Sequence, residues 1–131
     1  MHIWSLVHHK VSYVHTLGRY YKDIYGWETI EDDGSFIAYY IDKDSLMICE
    51  FYVPEEDRKK GKAIKLINKA VDVAKKSYCS KICAKVELKK RGKKTVNPSL
   101  SLKVILGHGF IPYGAHNDEV YVVRNIIKFT N

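Results

Sequence analysis

Residues 53–63 read VPEEDRKKGKA and separate two sequence patterns of different period. The run before them, LMICEFYV at residues 46–53, is apolar at nearly every position, which is typical of a central strand. The run after them, KAIKLINKAVDVAKKS at residues 62–77, repeats apolar residues every three or four positions, as an amphipathic helix does. The quoted stretch therefore joins a strand to a helix and places four cations around Gly61.

A helix start surrounded by cations suits an anion. The first backbone N–H groups of a helix have no acceptor within it, and the helix dipole is positive at that end. A glycine there lets an anion approach the backbone without a side chain in the way. A solvated helix start with a flexible glycine has the same pattern, so the charge alone leaves both interpretations open.

Length and composition indicate one globular domain over residues 1–131. The chain has 131 residues and is 46% apolar, which is enough to bury a core without disulfide or metal staples. Its net charge of +7 favours anionic partners such as nucleotides, nucleic acid, acidic proteins and phosphate-bearing cofactors. Three cysteines and no signal-peptide pattern predict a cytoplasmic protein, and no apolar run approaches the roughly 18 residues of a membrane span.

The patterns along the chain predict the order helix, three strands, helix, strand, helix, two strands. Besides the two elements described above, the predicted helices are 8–25 and one that begins at Asn97 and stops at Gly107 or Gly109. The further predicted strands are 27–31, 35–41, 82–88, 110–113 and 119–126, with a loop at 114–118 and a possible short strand at 2–7. The fold class is α/β: an antiparallel meander followed by a parallel strand–helix–strand crossover in a mixed sheet, with helices on both faces.

Two motifs on these elements resemble those of the GNAT N-acetyltransferases. The segment Arg58-Lys59-Lys60-Gly61-Lys62-Ala63 is similar to the family's acetyl-CoA-binding motif, Q/R-x-x-G-x-G/A, which also follows a strand and opens a helix. Asn97, before a helix that ends at Gly109-Phe110, is similar to the family's N…LYEKLGF segment. The element order also fits, and the resemblance implies a small GNAT-like domain with a shortened N-terminal region.

The resemblance implies an enzyme that uses acetyl-CoA as a cosubstrate and acetylates a primary amine by direct attack in a ternary complex. The pantetheine arm would enter a gap between the strands at 46–53 and 82–88. It would pair there with the backbone of Phe51, Tyr52 and Val53. The pyrophosphate would lie on the backbone N–H groups of residues 59–63. The implied cofactor site is completed by Arg58, Lys59, Lys60, Gly61, Lys62, Ala63 and Asn97.

Glu50 is the candidate general base of such a reaction. It is a lone carboxylate in an otherwise apolar strand, three residues before Val53. An ammonium must lose a proton before it attacks, and burial in the strand would raise the pKa of Glu50 toward a useful range. A structural partner for a lysine, or an edge-facing acid, is an equally open interpretation. Ile105 stands where the family often has a tyrosine acid, so Tyr113 or His108 would substitute, or the thiolate would leave unassisted.

A second functional class also fits the charge. Residues 89–94, KKRGKK, are the densest basic run, and they suit nucleic acid or an acidic acceptor. A non-catalytic basic binding module is therefore the alternative to an enzyme, although such a run is more often a solvated loop. No metal site is expected, because Cys79 and Cys83 lack a second cysteine pair at ligand spacing. A homodimer could form through an edge strand at 119–126.

Overall fold

The computed structural model describes residues 6–54, 61–87 and 105–126. The helices are α1 (Leu6–Tyr25) and α2 (Lys62–Lys76). The first three strands are β1 (Glu28–Asp32), β2 (Ser35–Asp42) and β3 (Ser45–Tyr52). The last three are β4 (Lys81–Glu87), β5 (Ile111–His116) and β6 (Glu119–Asn125).

The six strands form one mixed sheet in the order β1-β2-β3-β4-β6-β5. β3 and β4 are parallel, and their ladder pairs Ser45, Leu46 and Met47 with Lys81, Ile82 and Cys83. The β1–β2, β4–β6 and β5–β6 pairs are antiparallel. The predicted fold class is therefore confirmed, and α2 makes the parallel crossover from β3 to β4. The edge prediction is wrong, because β6 lies between β4 and β5 and the edge strand on that side is β5.

Residues with positive φ form the turns of the β1–β2 and β5–β6 hairpins. Asp33 and Gly34 both have positive φ, +48° and +84°, which is the geometry of a two-residue hairpin turn that matches strand twist. Asn117 and Asp118, at +49° and +64°, make the same kind of turn between β5 and β6. The predicted loop at 114–118 is therefore too long. β5 continues to His116, and its pairing with β6 absorbs an irregularity between Pro112 and Gly114.

The remaining sequence predictions have mixed outcomes. Each remaining strand begins and ends within one residue of its predicted bounds. Leu6 and Val7 belong to α1, so the strand predicted at 2–7 is wrong there, and its remaining residues lie outside the described part of the chain. Of the third predicted helix, only Ile105 and Leu106 are described as helical, and a turn with Gly109 at φ +89° follows them. The basic run at 89–94 is likewise outside the described residues.

The chain divides into two compact units. The first contains residues 1–40 and 49–70, and the second contains residues 41–48 and 71–131. In the first unit, Phe36 and Ala38 of β2 form a buried cluster. Side chains from α1, from β3 and from the link between α1 and β1 pack against it: Leu17, Tyr21, Trp27 and Tyr52. This cluster attaches α1 to one face of the sheet within that unit. The expectation of one domain over residues 1–131 stays a prediction.

The second unit has its own buried residues. Leu46 of β3, Ile82 of β4, Val122 of β6 and Phe110 before β5 are almost fully buried. Ser80 connects the starts of β3 and β4 to the end of β6, since its N–H donates to the Asp44 carbonyl at 2.7 Å and its carbonyl accepts from the Ile126 N–H at 2.8 Å. Among the described residues, no helix combines the length and apolar character that crossing a membrane requires.

Candidate functional site

Gly61 caps the N-terminus of α2, as the motif predicts. Its carbonyl accepts a 3.2 Å hydrogen bond from the Lys65 N–H, the first of the helix ladder. Its φ of +79° lies in the left-handed region, where a side chain causes strain. The first N–H groups of α2 have no acceptor within the helix, and they lie at the positive end of its dipole. Gly61 thus lies beside backbone N–H groups that can bind an anion at the start of α2.

The described residues leave space beside Gly61. Among them, a Cβ built on this glycine would meet no heavy atom within 4 Å. The residue is therefore a glycine because of its backbone conformation and not because a neighbour packs against it. A phosphate could approach the backbone here, so the residues present fit the pyrophosphate that the motif implies. Arg58, Lys59 and Lys60 of that motif lie outside the described residues.

The side chain of Lys62 is turned toward the β1–β2 turn. Its Nζ lies 3.1 Å from Asp33 Oδ2 and 3.7 Å from Asp32 Oδ2, and the side chain is only 15% exposed. Ala63, the next motif residue, is half-buried. The ammonium of Lys62 is therefore directed at carboxylates, although the sequence analysis placed Lys62 among the cations of the cofactor site.

A second lysine of α2 reaches the same turn. Lys69 Nζ donates to the Glu31 carbonyl at 2.9 Å and lies 3.4 Å from Asp32 Oδ1. No motif in the sequence analysis singles out Asp32, Asp33 or Lys69. The signal available in the sequence was two lysines seven positions apart on one helix face, but nothing local connects them to a turn some thirty residues earlier.

The end of β3 presents Tyr52 to the aromatic cluster of the first unit. The Tyr52 and Phe36 ring centroids are 5.7 Å apart at an interplanar angle of 38°. The Tyr52 ring thus packs against the buried cluster, and the Tyr52 backbone stays the candidate for pairing with pantetheine. Because side chains alternate along a strand, Phe51 faces the other side of the sheet. Val53 follows the strand and is half-buried.

Glu50 is exposed on β3. The strand alternation places it on the same face as Tyr52, two residues later. The burial on which the argument for a raised pKa relied is therefore not observed, because an apolar strand does not bury each of its residues equally. The role of Glu50 as a base stays a prediction. Residues 50–53 and 61–63 all belong to the first unit, whereas Asn97 lies outside the described residues.

The two candidate proton donors belong to the second unit. Tyr113 lies in β5 at 61% exposure. Burial of part of its side chain, and then its neighbours Cys83 and Tyr121, raise the pKa of Tyr113, so its phenol stays protonated over the ordinary pH range. The His108 carbonyl accepts a 3.0 Å hydrogen bond from Arg124 Nη1, which holds the backbone of the turn before β5. Nothing assigns either residue to the chemistry.

No family model matches the chain, and no curated protein matches it. Solved structures do match. A candidate acetyltransferase from Agrobacterium tumefaciens is 20% identical, with a TM-score of 0.60 over 87% of this chain and 88% of that one. The PaiA N-acetyltransferase from Thermoplasma acidophilum, solved with coenzyme A, is 16% identical at TM-score 0.60, over 70% of this chain and 52% of that one.

A third neighbour is the ribosomal-protein-S18-alanine N-acetyltransferase from Escherichia coli, which is 11% identical at TM-score 0.59 over 73% of this chain and 63% of that one. This chain thus spans about half the length of the PaiA protein and less than two thirds of the S18 enzyme. At such identities the likeness concerns the fold. The chain has the GNAT fold, as the motifs indicated.

Proposed function

We propose that this protein is an N-acetyltransferase that moves an acetyl group from acetyl-CoA to a primary amine. The observation that carries the proposal is Gly61, an open left-handed glycine that caps the helix after β3 in a chain of GNAT fold. That feature coincides with the motif Arg58-Lys59-Lys60-Gly61-Lys62-Ala63. The proposal is further supported by a neighbour of the same fold that was solved with coenzyme A.

In this proposal the chain holds acetyl-CoA mainly through its backbone. The N–H groups of residues 59–63 receive the pyrophosphate, and Arg58 adds a positive charge. The backbone of Phe51, Tyr52 and Val53 pairs with the pantetheine arm, and Asn97 completes the site. When bound, acetyl-CoA supplies the acetyl group as a thioester, whose carbonyl carbon an amine can attack. The protein's contribution is then to orient the two reactants.

The reaction also requires that the attacking amine lose one proton. The amine nitrogen forms the new C–N bond while the C–S bond breaks, and the electron pair of that bond stays on sulfur. A backbone N–H near Val53 polarises the carbonyl oxygen that carries the developing charge. Glu50 accepts the proton that the amine loses. Because Glu50 is exposed, it can pass that proton on to water without a buried relay.

The test is a turnover assay with a panel of amines. Acetyl-CoA is incubated with the protein and a lysine peptide, a peptide N-terminus, a polyamine or an aminoglycoside, and free CoA is measured by chromatography. We expect Glu50→Gln to lower kcat by about a hundredfold or more and to leave the KM for acetyl-CoA unchanged. Asp42→Asn is the control, since Asp42 is also an exposed strand carboxylate.

The outcomes separate the two functional classes. Turnover that falls with Glu50→Gln and persists in Asp42→Asn would support both the enzyme and its base. Turnover that is equal in all three proteins would remove Glu50 from the mechanism. A folded protein that binds coenzyme A but acetylates no amine in the panel would favour the non-catalytic binding module.

A further inference from the structure

Lys62 occupies a position that local helix rules do not favour. It is the first residue of α2, where a cation faces the positive end of the helix dipole, and the first turn of α2 contains no acidic residue. Its side chain is only 15% exposed, so solvation of the ammonium does not explain it either. The position is explained by tertiary partners, which are the two carboxylates of the β1–β2 turn.

The β1–β2 turn presents these carboxylates in a fixed geometry. Asp32 ends β1, where it pairs with Ser35 of β2, and Asp33 follows with φ +48°. Asp33 is 70% exposed and bonds Lys62 at 3.1 Å. Asp32 is 20% exposed, and its Oδ2 is buried and without a hydrogen bond among the described residues. Lys62 Nζ, 3.7 Å away, is a cation that compensates this oxygen.

Lys69 provides a second attachment between the same two elements. Lys62 and Lys69 are seven residues apart, which is about two helical turns, so both side chains extend from one face of α2. The two contacts are separated along the axis, so they restrain α2 toward the β1–β2 turn at two points, in addition to the burial of its apolar stripe. All of these residues belong to the first unit, together with Gly61.

We infer that Asp32 and Asp33 are positioning residues for the phosphate cradle, by which we mean the backbone N–H groups at the start of α2 beside Gly61. They act through Lys62. The inference rests on the proposed function, since it assumes that the start of α2 receives the pyrophosphate. Lys62 directly follows Gly61 in the chain. Restraint of the Lys62 side chain therefore also restrains the neighbouring peptide groups that would contact the anion. The two carboxylates also neutralise the Lys62 ammonium. In this inference the anion is therefore bound by backbone N–H groups and by the motif residues before Gly61, and not by the Lys62 side chain.

This role is distinguishable from direct phosphate binding by Lys62. If Lys62 contacted the phosphate, Asp33 would compete for its ammonium, and Asp33→Asn would strengthen binding. If Lys62 positions the helix, Asp33→Asn and Lys62→Met would both weaken binding. Their effects would be less than additive, because both remove the Lys62–Asp33 ion pair, whereas Lys62→Met also removes the contact with Asp32.

The experiment is a double-mutant cycle followed by calorimetry. Wild type, Lys62→Met, Asp33→Asn and the double variant are titrated with coenzyme A and, separately, with pantetheine, which lacks the pyrophosphate. We expect each variant, including the double, to raise the Kd for coenzyme A by about two- to fivefold and to leave pantetheine binding unchanged. Lys65→Met is the control, because Lys65 is an exposed lysine one turn further along α2.

Hydrogen exchange in the ligand-free protein gives a second measurement. The N–H of residue 65 closes the first turn of α2 on Gly61, so its exchange, corrected for the intrinsic rate of each sequence, should accelerate in Lys62→Met and in Asp33→Asn, but not in Lys65→Met. Unchanged or tighter coenzyme A binding by Asp33→Asn would overturn the inference. If wild type binds no coenzyme A, the proposed function fails and the positioning role with it. The exchange rates would then still report whether the turn holds the helix.

Discussion

Phe36 should contribute more to stability than any other single side chain of the first unit's cluster. It is 2% exposed, and its ring centroid lies 5.7 Å from that of Tyr52 and 6.2 Å from that of Tyr21. Truncation of a buried phenylalanine costs about 3–5 kcal/mol through lost burial and the cavity left behind. A domain of this size has a free energy of unfolding of about 5–15 kcal/mol, so Phe36→Ala should remove a large share of it.

The assay is urea unfolding followed by far-UV circular dichroism. Tyr40→Ala is the matched control, because Tyr40 lies on the same strand and the same face, four residues on, but is 40% exposed. We expect Tyr40→Ala to cost about 1 kcal/mol. Equal losses for Phe36→Ala and Tyr40→Ala, or a loss below about 1 kcal/mol for Phe36→Ala, would refute the cluster as the core of this unit.

Tyr52 connects this cluster to the candidate cofactor site, because it packs against Phe36 and belongs to the strand end that would pair with pantetheine. A cycle that combines Phe36→Ala with Tyr52→Ala should show a coupling of about 0.5–1.5 kcal/mol, the range for aromatic pairs. Tyr52→Phe keeps the ring and removes the hydroxyl, so it should leave coenzyme A binding unchanged if Tyr52 serves the cofactor only through its backbone. Loss of binding in Tyr52→Phe would show that the hydroxyl itself takes part.

Two further predictions concern the titratable groups. The hydrogen bond from Ser80 Oγ lowers the pKa of Asp44, so the stability that it adds is present above the ordinary aspartate pKa and is lost as pH falls through the lowered one. Ser80→Ala should therefore destabilise the protein more at pH 6 than at pH 3 in urea unfolding, and an equal loss at both would contradict this. Cys79 and Cys83 are buried, and burial raises the pKa of Cys83, whereas Cys49 is half-buried. A thiol reagent should modify Cys49 first, and Cys49→Ser should abolish the fast phase; a fast phase that survives would contradict the order.

Elements with a strong local period are the ones that the sequence predicts well. The apolar stripe of α2 is buried at Leu66, Ile67, Ala70 and Ala74, as its spacing indicates. The end of β5 was missed because Gly114 is a local turn signal, whereas the ladder with Tyr121 and Val120 keeps the chain extended to His116. Pairing with another strand overrides a local preference that no neighbour in sequence can reveal.

The candidate site likewise contains one feature that the local sequence predicts and one that depends on tertiary contacts. Gly61 is predictable because a local sequence pattern, a glycine directly before an amphipathic period, marks the start of the helix it caps. The Lys62–Asp33 pair joins residues 29 positions apart, so only the folded chain brings them together. Glu50 shows the converse error. An apolar sequence context suggested burial, but exposure depends on what covers each face of the strand.

The most direct test of the account is a calorimetric titration with coenzyme A of wild type, Gly61→Glu and Gly26→Glu. Gly26 is a matched control, since its φ is +74° and a Cβ built there also meets no atom of the described residues within 4 Å. Each substitution should cost a similar backbone strain of about 1–2 kcal/mol. We predict that wild type and Gly26→Glu bind coenzyme A at micromolar concentration and that folded Gly61→Glu does not. No binding by wild type, or equal binding by both variants, would contradict a cofactor cradle at Gly61.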